Sequence, residues 1–207
     1  MSEPPQLVLA TANPDKAREI AEILDGLVRL VPRPDGLGEV DETGDTLEDN
    51  ARLKAVAVSA RAGAPAVADD TGLEVDALGG APGVWSARYA GPGATYGDNV
   101  RKLLDALEGV PPEQRTARFR TVALARWPDG AEVLGVGVVE GVITTHPRGA
   151  GGFGYDPVFS PTEGDGRTFA EMPAADKHRL SHRGRAFADL AAQLGSRPTR
   201  LAGGGPR

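Results

Sequence analysis

Asp69 and Asp70 stand side by side after a short apolar run, Ala66-Val67-Ala68, and are followed by Thr71 and Gly72. On a β-strand successive side chains point to opposite faces, so the two carboxylates cannot share one pocket. One is expected at a site and the other on the opposite face. A carboxylate fixed at such a place holds a hard cation such as Mg²⁺ or takes a proton from water, and both roles serve phosphate chemistry. A solvated turn would account for the pair alone; the rest of the chain argues for chemistry.

Thr11-Ala12-Asn13-Pro14-Asp15-Lys16 lies where a first strand passes into a first helix. In open α/β sheets ligands bind beyond the carboxyl ends of strands. A helix N-terminus there offers free N–H groups and a positive dipole end to phosphate. Thr11 and Asn13 add neutral hydrogen-bond partners and Lys16 a point charge. No lysine follows a glycine, which excludes a P-loop, and no G-x-G-x-x-G follows a strand and opens a helix.

Asp41, Glu42, Asp45, Glu48 and Asp49 form a local acidic cluster. One of its carboxylates is placed to meet Asp70 around a metal, and Mg²⁺ takes only one or two protein carboxylates. Three scattered histidines and no cysteine argue against structural zinc. Farther on, Gly149-Ala150-Gly151-Gly152-Phe153-Gly154-Tyr155-Asp156-Pro157 combines glycines that allow close backbone approach with two aromatic faces on which a base can stack. Asp156 is a candidate for holding a ribose or a base N–H. Ser181-His182-Arg183-Gly184 opens the last helix, with Lys177 four residues before Ser181. Such a donor-rich corner favours a purine with oxygen at C6 over adenine, which presents an amino group there. Leaving buried donors unpaired costs about 1–3 kcal/mol each.

Composition sets the limits. The chain has 207 residues, 40% apolar and 25% charged, as expected of one soluble domain or two closely packed lobes. A formal net charge of −6 argues against a nucleic-acid partner, because binding phosphate backbones requires a basic face. The absence of cysteine fits a reducing compartment. With neither a signal-like N-terminus nor a membrane-length apolar run, a cytoplasmic protein without a membrane partner is expected. Only four of the 23 basic residues are lysine: Lys16, Lys54, Lys102 and Lys177. Three of them fall beside motifs, where a compact ammonium serves and the wide arginine fork does not.

The elements that must position these residues follow from periodicity. Strands are expected at 6–11, 27–31, from Ala66 through about Ala77, 116–127, 131–140, 142–145 and 157–159. Helices are expected after Asn13, from Thr46 to about Arg61, around Val100 to Leu107, and from Ser181 through Leu194. Arg118, Arg120 and Arg126 share one strand face, where packing or ion pairs explain them better than RNA contacts. The order predicts an α/β fold with a long mixed sheet flanked by helices in two lobes with a central cleft. Residues 1–195 are expected to form one domain and 196–207 a disordered tail.

Taken together, the motifs resemble the inosine triphosphate pyrophosphatase family from about Leu7 to Leu194. The residues that carry the resemblance are Thr-Ala-Asn-Pro-Asp-Lys, Glu-Thr-Gly with the helix after it, Ala-Asp-Asp-Thr-Gly-Leu through Ser-Ala-Arg-Tyr, Gly-Gly-Phe-Gly-Tyr-Asp-Pro and Ser-His-Arg-Gly. The resemblance implies a Mg²⁺-dependent homodimer that hydrolyses ITP, dITP and XTP to the monophosphate and pyrophosphate. It implies that Asp70 is general base and metal ligand, with Asp41 as the second metal carboxylate and Glu42 as the alternative. Thr11, Ala12, Asn13, Pro14, Asp15, Lys16 and Lys54 would hold phosphates, with Thr71 also binding substrate. Phe153, Gly154, Tyr155, Asp156, Lys177, His182 and Arg183 would bind base and sugar. A nucleotide sensor without turnover is the alternative reading.

Overall fold

A computed structural model describes residues 4–196. Seven strands form one mixed sheet in the order β2-β1-β3-β5-β6-β7, with β4 paired to β3 off that path. The strands are β1 (Gln6–Leu9), β2 (Arg29–Val31), β3 (Ala66–Val75), β4 (Pro82–Gly83), β5 (Thr116–Arg126), β6 (Glu132–Ile143) and β7 (Phe159–Pro161). β1 runs parallel to both β2 and β3, while the remaining pairs are antiparallel. Among the described residues the α-helices are α1 (Pro14–Ile23), α2 (Leu47–Ala62), α3 (Tyr96–Ala106), α4 (Ala174–Leu180) and α5 (His182–Ser196). No helix among the described residues is long and apolar enough to cross a membrane.

Local chemistry starts these helices where the chain needs them. Asn13 caps α1, its Oδ1 accepting from the N–H groups of Asp15 at 2.9 Å and Lys16 at 3.2 Å, and Pro14 occupies the first turn. Thr46 caps α2 by accepting from Asp49 N–H at 3.1 Å. Thr95 and Asp98 form a reciprocal capping box on α3. The Ser181 hydroxyl accepts from Gly184 N–H at 3.0 Å at the start of α5.

Strand alternation divides the core. Leu7 and Leu9 face α1 and α5 in a cluster with Ile20, Leu24, Val67, Phe187 and Leu190. Val8 and Ala10 face the other way, with Ala51, Ala55 and Val58 of α2 and with Ala66 and Ala68. A third cluster gathers Leu73, Val75, Leu103, Phe119, Phe159 and Phe169 around the far half of β3. β3 is therefore apolar at both ends and polar at Asp69 to Thr71, the interval between the clusters.

Several boundaries differ from expectation. The strand expected at 142–145 is the end of β6, which runs unbroken through Gly141; a Cβ there would sit 2.5 Å from the Phe159 ring. Asp156–Val158 forms a helical turn, and β7 begins only at Phe159. α4 was not expected, and α5 continues through Gly195 to Ser196. The rest of the expected disordered tail, 197–207, lies outside the described residues. The arginine row is held by carboxylates: Arg118 by Glu140 and Asp76, Arg120 by Glu48, and Arg126 by Glu132.

Gly137 brings β6 directly against α5. A Cβ there would lie 2.0 Å from the carbonyl oxygen of His182 and 2.5 Å from the backbone nitrogen of Ala186. Both obstacles are main chain, so the helix itself must shift. Gly137→Ala is expected to lower stability by about 1–3 kcal/mol, as overpacking does. The change should appear as a lower urea midpoint with an unaltered slope.

Candidate active site

At its polar middle, β3 presents Asp70 to α2 and Asp69 to the opposite face. Asp70 Oδ1 accepts from Lys54 Nζ at 2.9 Å, and Oδ2 accepts from Asn50 Nδ2 at 3.3 Å. Lys54 Nζ also donates to Glu42 Oε1 at 2.7 Å, and Glu42 pairs with Arg88 at 3.2 Å. Asp69 pairs instead with Lys16 at 3.2 Å and Arg183 at 3.4 Å. The strand period thus separates two neighbouring carboxylates into different ionic settings.

Their proton affinities diverge accordingly. Burial raises the Asp70 carboxyl above its ordinary value, and Lys54 and Lys16 offset only part of that, with Glu42 adding to the rise. Burial also acts on Asp69, but Lys16, Arg183 and Lys54 outweigh it and hold that carboxyl well below the usual range. Burial opposes the charge on Lys54, yet Asp70, Asp69 and Glu42 prevail and strengthen its hold on the proton. Asp70 is the basic carboxylate of the pair; Asp69 is a fixed anion.

Two connected cavities flank this centre. An outer cavity of about 1080 Å³ is lined by Ala10 to Lys16, Arg33, Asp41, Glu42, Lys54, Arg88 and Tyr96, among others. An inner pocket of about 110 Å³ is lined by Asp70, Thr71, Phe119, Phe153 to Asp156, His182 and Arg183, and Asn13, Lys16, Glu42 and Tyr96 border both. The Phe153 ring lies beneath two cations, with Lys177 Nζ at 5.0 Å and Arg183 Cζ at 5.4 Å from its centroid. Lys177 is held by Glu19 and by Asp156 at 2.6 Å, while Arg183 reaches Glu19 at 2.5 Å. Asp156 Oδ2 also accepts from Phe153 N–H at 2.8 Å, which fixes the aromatic loop. Gly152 makes that fit possible: with φ +66, a Cβ would sit 2.1 Å from Asp156 Oδ2. Thr121 Oγ1 meets His182 Nδ1 at 2.6 Å, and burial, then Arg183 and Lys177, hold the imidazole neutral well below its ordinary value.

Nearly all the residues expected from sequence come together here. Thr11, Ala12, Asn13, Pro14, Asp15, Lys16, Asp41 and Lys54 line the outer cavity. Asp70, Thr71, Phe153, Gly154, Tyr155, Asp156, His182 and Arg183 line the inner pocket. Lys177 lines neither and acts from behind Phe153 and Asp156. The Tyr155 hydroxyl donates to Ser86 O at 2.9 Å. The donor corner expected around Lys177 and Arg183 is largely occupied by Glu19, Asp69 and Asp156. Four contacts from Arg183 leave one of its five N–H groups without a hydrogen-bond partner among the described residues.

Glu42 already neutralises two cations, whereas Asp41 has no ion pair among the described residues. Sequence reasoning missed Glu19, Asn50, Arg88 and Tyr96. The Ser-Ala-Arg-Tyr motif contained Arg88; the other three carry no local signal.

The Ham1 family model matches residues 7–193. A dITP/XTP pyrophosphatase of Geobacter sulfurreducens is 52% identical, over 92% of this chain and 96% of its own. Two solved structures superpose over most of the chain. A HAM1 protein from Coxiella burnetii has a TM-score of 0.83 at 39% identity, covering 93% of this chain and 100% of its own. A nucleoside-triphosphatase, also titled dITP/XTP pyrophosphatase, from Mycobacterium abscessus has a TM-score of 0.71 at 41% identity, covering 91% and 99%.

Removing the Asp69 charge leaves Lys16 and Arg183 short of a buried partner. Asp69→Asn is expected to destabilise the fold by about 3–5 kcal/mol, the usual cost of breaking a buried pair. Because the folded-state carboxyl of Asp69 lies below its unfolded value, its contribution is present above about pH 4 and lost as pH falls. Stability measured by urea titration should therefore fall less steeply on acidification below about pH 4 in Asp69→Asn than in the wild type.

Proposed function

We propose that this chain, which belongs to the Ham1 family, hydrolyses dITP, ITP and XTP to the monophosphate and pyrophosphate. The observation that carries this reading is Asp70: a buried carboxylate of raised proton affinity, bound to Lys54 between a cation-lined outer cavity and an aromatic inner pocket. Asp70 takes the proton of the water that attacks the α-phosphorus. Lys16, Lys54 and the positive end of the α1 dipole hold the phosphates, the first-turn N–H groups being taken up by the Asn13 cap, so most of the rate comes from placement and charge. The base lies against Phe153, with the free N–H of Arg183 available to an oxygen at C6. An adenine amino group at that place would leave donors facing donors.

The residues fit a hard divalent cation, since the carboxylates of Asp41 and Glu42 line the outer cavity and that of Asp70 the pocket beside it. Among the described residues no group of three or more His, Cys, Asp or Glu gathers, as suits an ion that takes few protein ligands and substrate phosphate. We assign Mg²⁺ to Asp70 and Asp41, the latter chosen over Glu42 because Glu42 is already committed to Lys54 and Arg88. Held by Asp70 and Asp41, the ion would supply positive charge against the departing pyrophosphate. A cytoplasmic homodimer completes the proposal.

Asp70→Asn preserves shape and is expected to cut turnover by about 10²–10⁴, with the folding transition retained. The assay offers ITP, dITP, XTP and ATP with and without Mg²⁺ and separates pyrophosphate from orthophosphate. Pyrophosphate released from ATP as fast as from ITP would defeat the specificity claim, and tight ITP binding without product would favour a sensor. Asp41→Asn should raise the Mg²⁺ concentration for half-maximal rate by about tenfold, well beyond the effect of Glu42→Gln.

A further inference from the structure

The inner pocket, at about 110 Å³, is smaller than the roughly 300–1,000 Å³ usual for small-molecule sites. Its outer wall is the Tyr96–Phe153 pair, with ring centroids 5.8 Å apart. Behind that wall lies an open groove of about 550 Å³ between α3 and the glycine-rich loop. Tyr96 borders the inner pocket, the outer cavity and this groove alike. Its side chain is well exposed, so nothing packed over it prevents movement. Asp156 holds the Phe153 N–H, so the Phe153 ring follows by side-chain rotation while the loop backbone stays in place.

The Tyr96 hydroxyl links this wall to the other side of the cleft. It accepts from Asn13 Nδ2 at 3.0 Å and faces Asp15 Oδ2 at 3.3 Å as donor. Asn13 uses its remaining side-chain atom, Oδ1, to cap α1 at Asp15 and Lys16. The hydroxyl therefore fixes which way the Asn13 amide points and joins the wall to the loop before α1, while the N–H groups of Asp15 and Lys16 stay bound to Asn13 Oδ1. The ring, meanwhile, touches the aromatic platform proposed for the base.

We propose that Tyr96 is a substrate-positioning residue that ties the wall of the base pocket to the phosphate loop. The Tyr96–Phe153 pair shifts toward the groove to admit the base, and the hydroxyl bridge, kept throughout, spares the substrate the cost of ordering the wall against the phosphate loop. This assignment rests on the functional reading above. It also explains why a solvent-accessible tyrosine should hold two partners more than eighty residues away.

Tyr96→Phe keeps the ring and removes the bridge. KM for ITP should rise about three- to tenfold, the usual worth of such hydrogen bonds, with kcat within about twofold and an unchanged urea midpoint. Inhibition by inorganic pyrophosphate, which has no base, should stay within about twofold. Tyr96→Leu removes the wall as well and should raise KM further. An unchanged KM in Tyr96→Phe, or an equal weakening of pyrophosphate inhibition, would overturn the assignment; so would a Tyr96→Leu variant no worse than Tyr96→Phe. If the wild type released no pyrophosphate from ITP, the functional reading would fail instead. Calorimetric titration of ITP into wild type and Tyr96→Phe would then decide the role of Tyr96: weaker binding to the variant supports it, and equal binding overturns it.

Discussion

Charge buried along the middle of β3 has to be balanced on site, because an isolated ion there costs several kcal/mol. The chain meets this constraint by alternating cations and carboxylates. Glu42 and Asp70 share Lys54, Lys16 and Arg183 share Asp69, and Glu19 bridges Arg183 and Lys177, which also holds Asp156. Through these contacts α1, α2, β3, α4, α5 and the aromatic loop are fastened to one another at their polar ends. The hydrophobic clusters fix each element on the sheet; the ionic series fixes how the site-bearing ends meet.

The same series divides labour between adjacent aspartates. Asp69 faces a guanidinium and an ammonium and is too strongly held as an anion to act as a base. Asp70 faces one ammonium, one amide and a second carboxylate at Glu42, so burial is left uncompensated and its proton affinity rises. No difference in residue type is needed. The two-residue period of the strand directs one carboxylate into a structural ion cluster and the other toward the cleft, where the proposed chemistry would use it.

Much of this arrangement could be read in the chain before the coordinates. Caps at Asn13, Thr46 and Ser181 are local signals, as is the alternation of β1 and β3, and each was legible. The rarity of lysine was informative too: Lys54 and Lys177 are buried among carboxylates and Lys16 pairs with Asp69, whereas Lys102 donates to the Tyr89 carbonyl near the surface. Other features had no local mark. α4 spans seven residues, too few for periodicity to register. Gly141 read as a strand break although it permits close approach of the Phe159 ring. Glu19 and Asn50 look like ordinary polar helix positions; only the packing of α1 and α2 onto the sheet turns them toward the cleft. Tyr96 lies at the head of α3, and its partners Asn13 and Phe153 come from distant parts of the sequence.

Recognition and reaction consequently share one framework. Phe153 rests on Lys177 and Arg183, and Arg183 in turn pairs with Asp69, the neighbour of Asp70 on the strand. On the proposed function, a base stacked on Phe153 would thereby be referred, through fixed charges, to the strand position next to Asp70. Buried, mutually satisfied ion pairs resist small displacements, because any separation exposes uncompensated charge in a medium that screens it poorly. Adaptation to a ligand must come from parts outside that network. In this fold that part is the exposed side of the cleft at Tyr96, whose hydroxyl meets one amide and one surface carboxylate. With the proposed movement of Tyr96, a rigid charged floor and a yielding wall would let the pocket open without loosening the residues assigned to the phosphates.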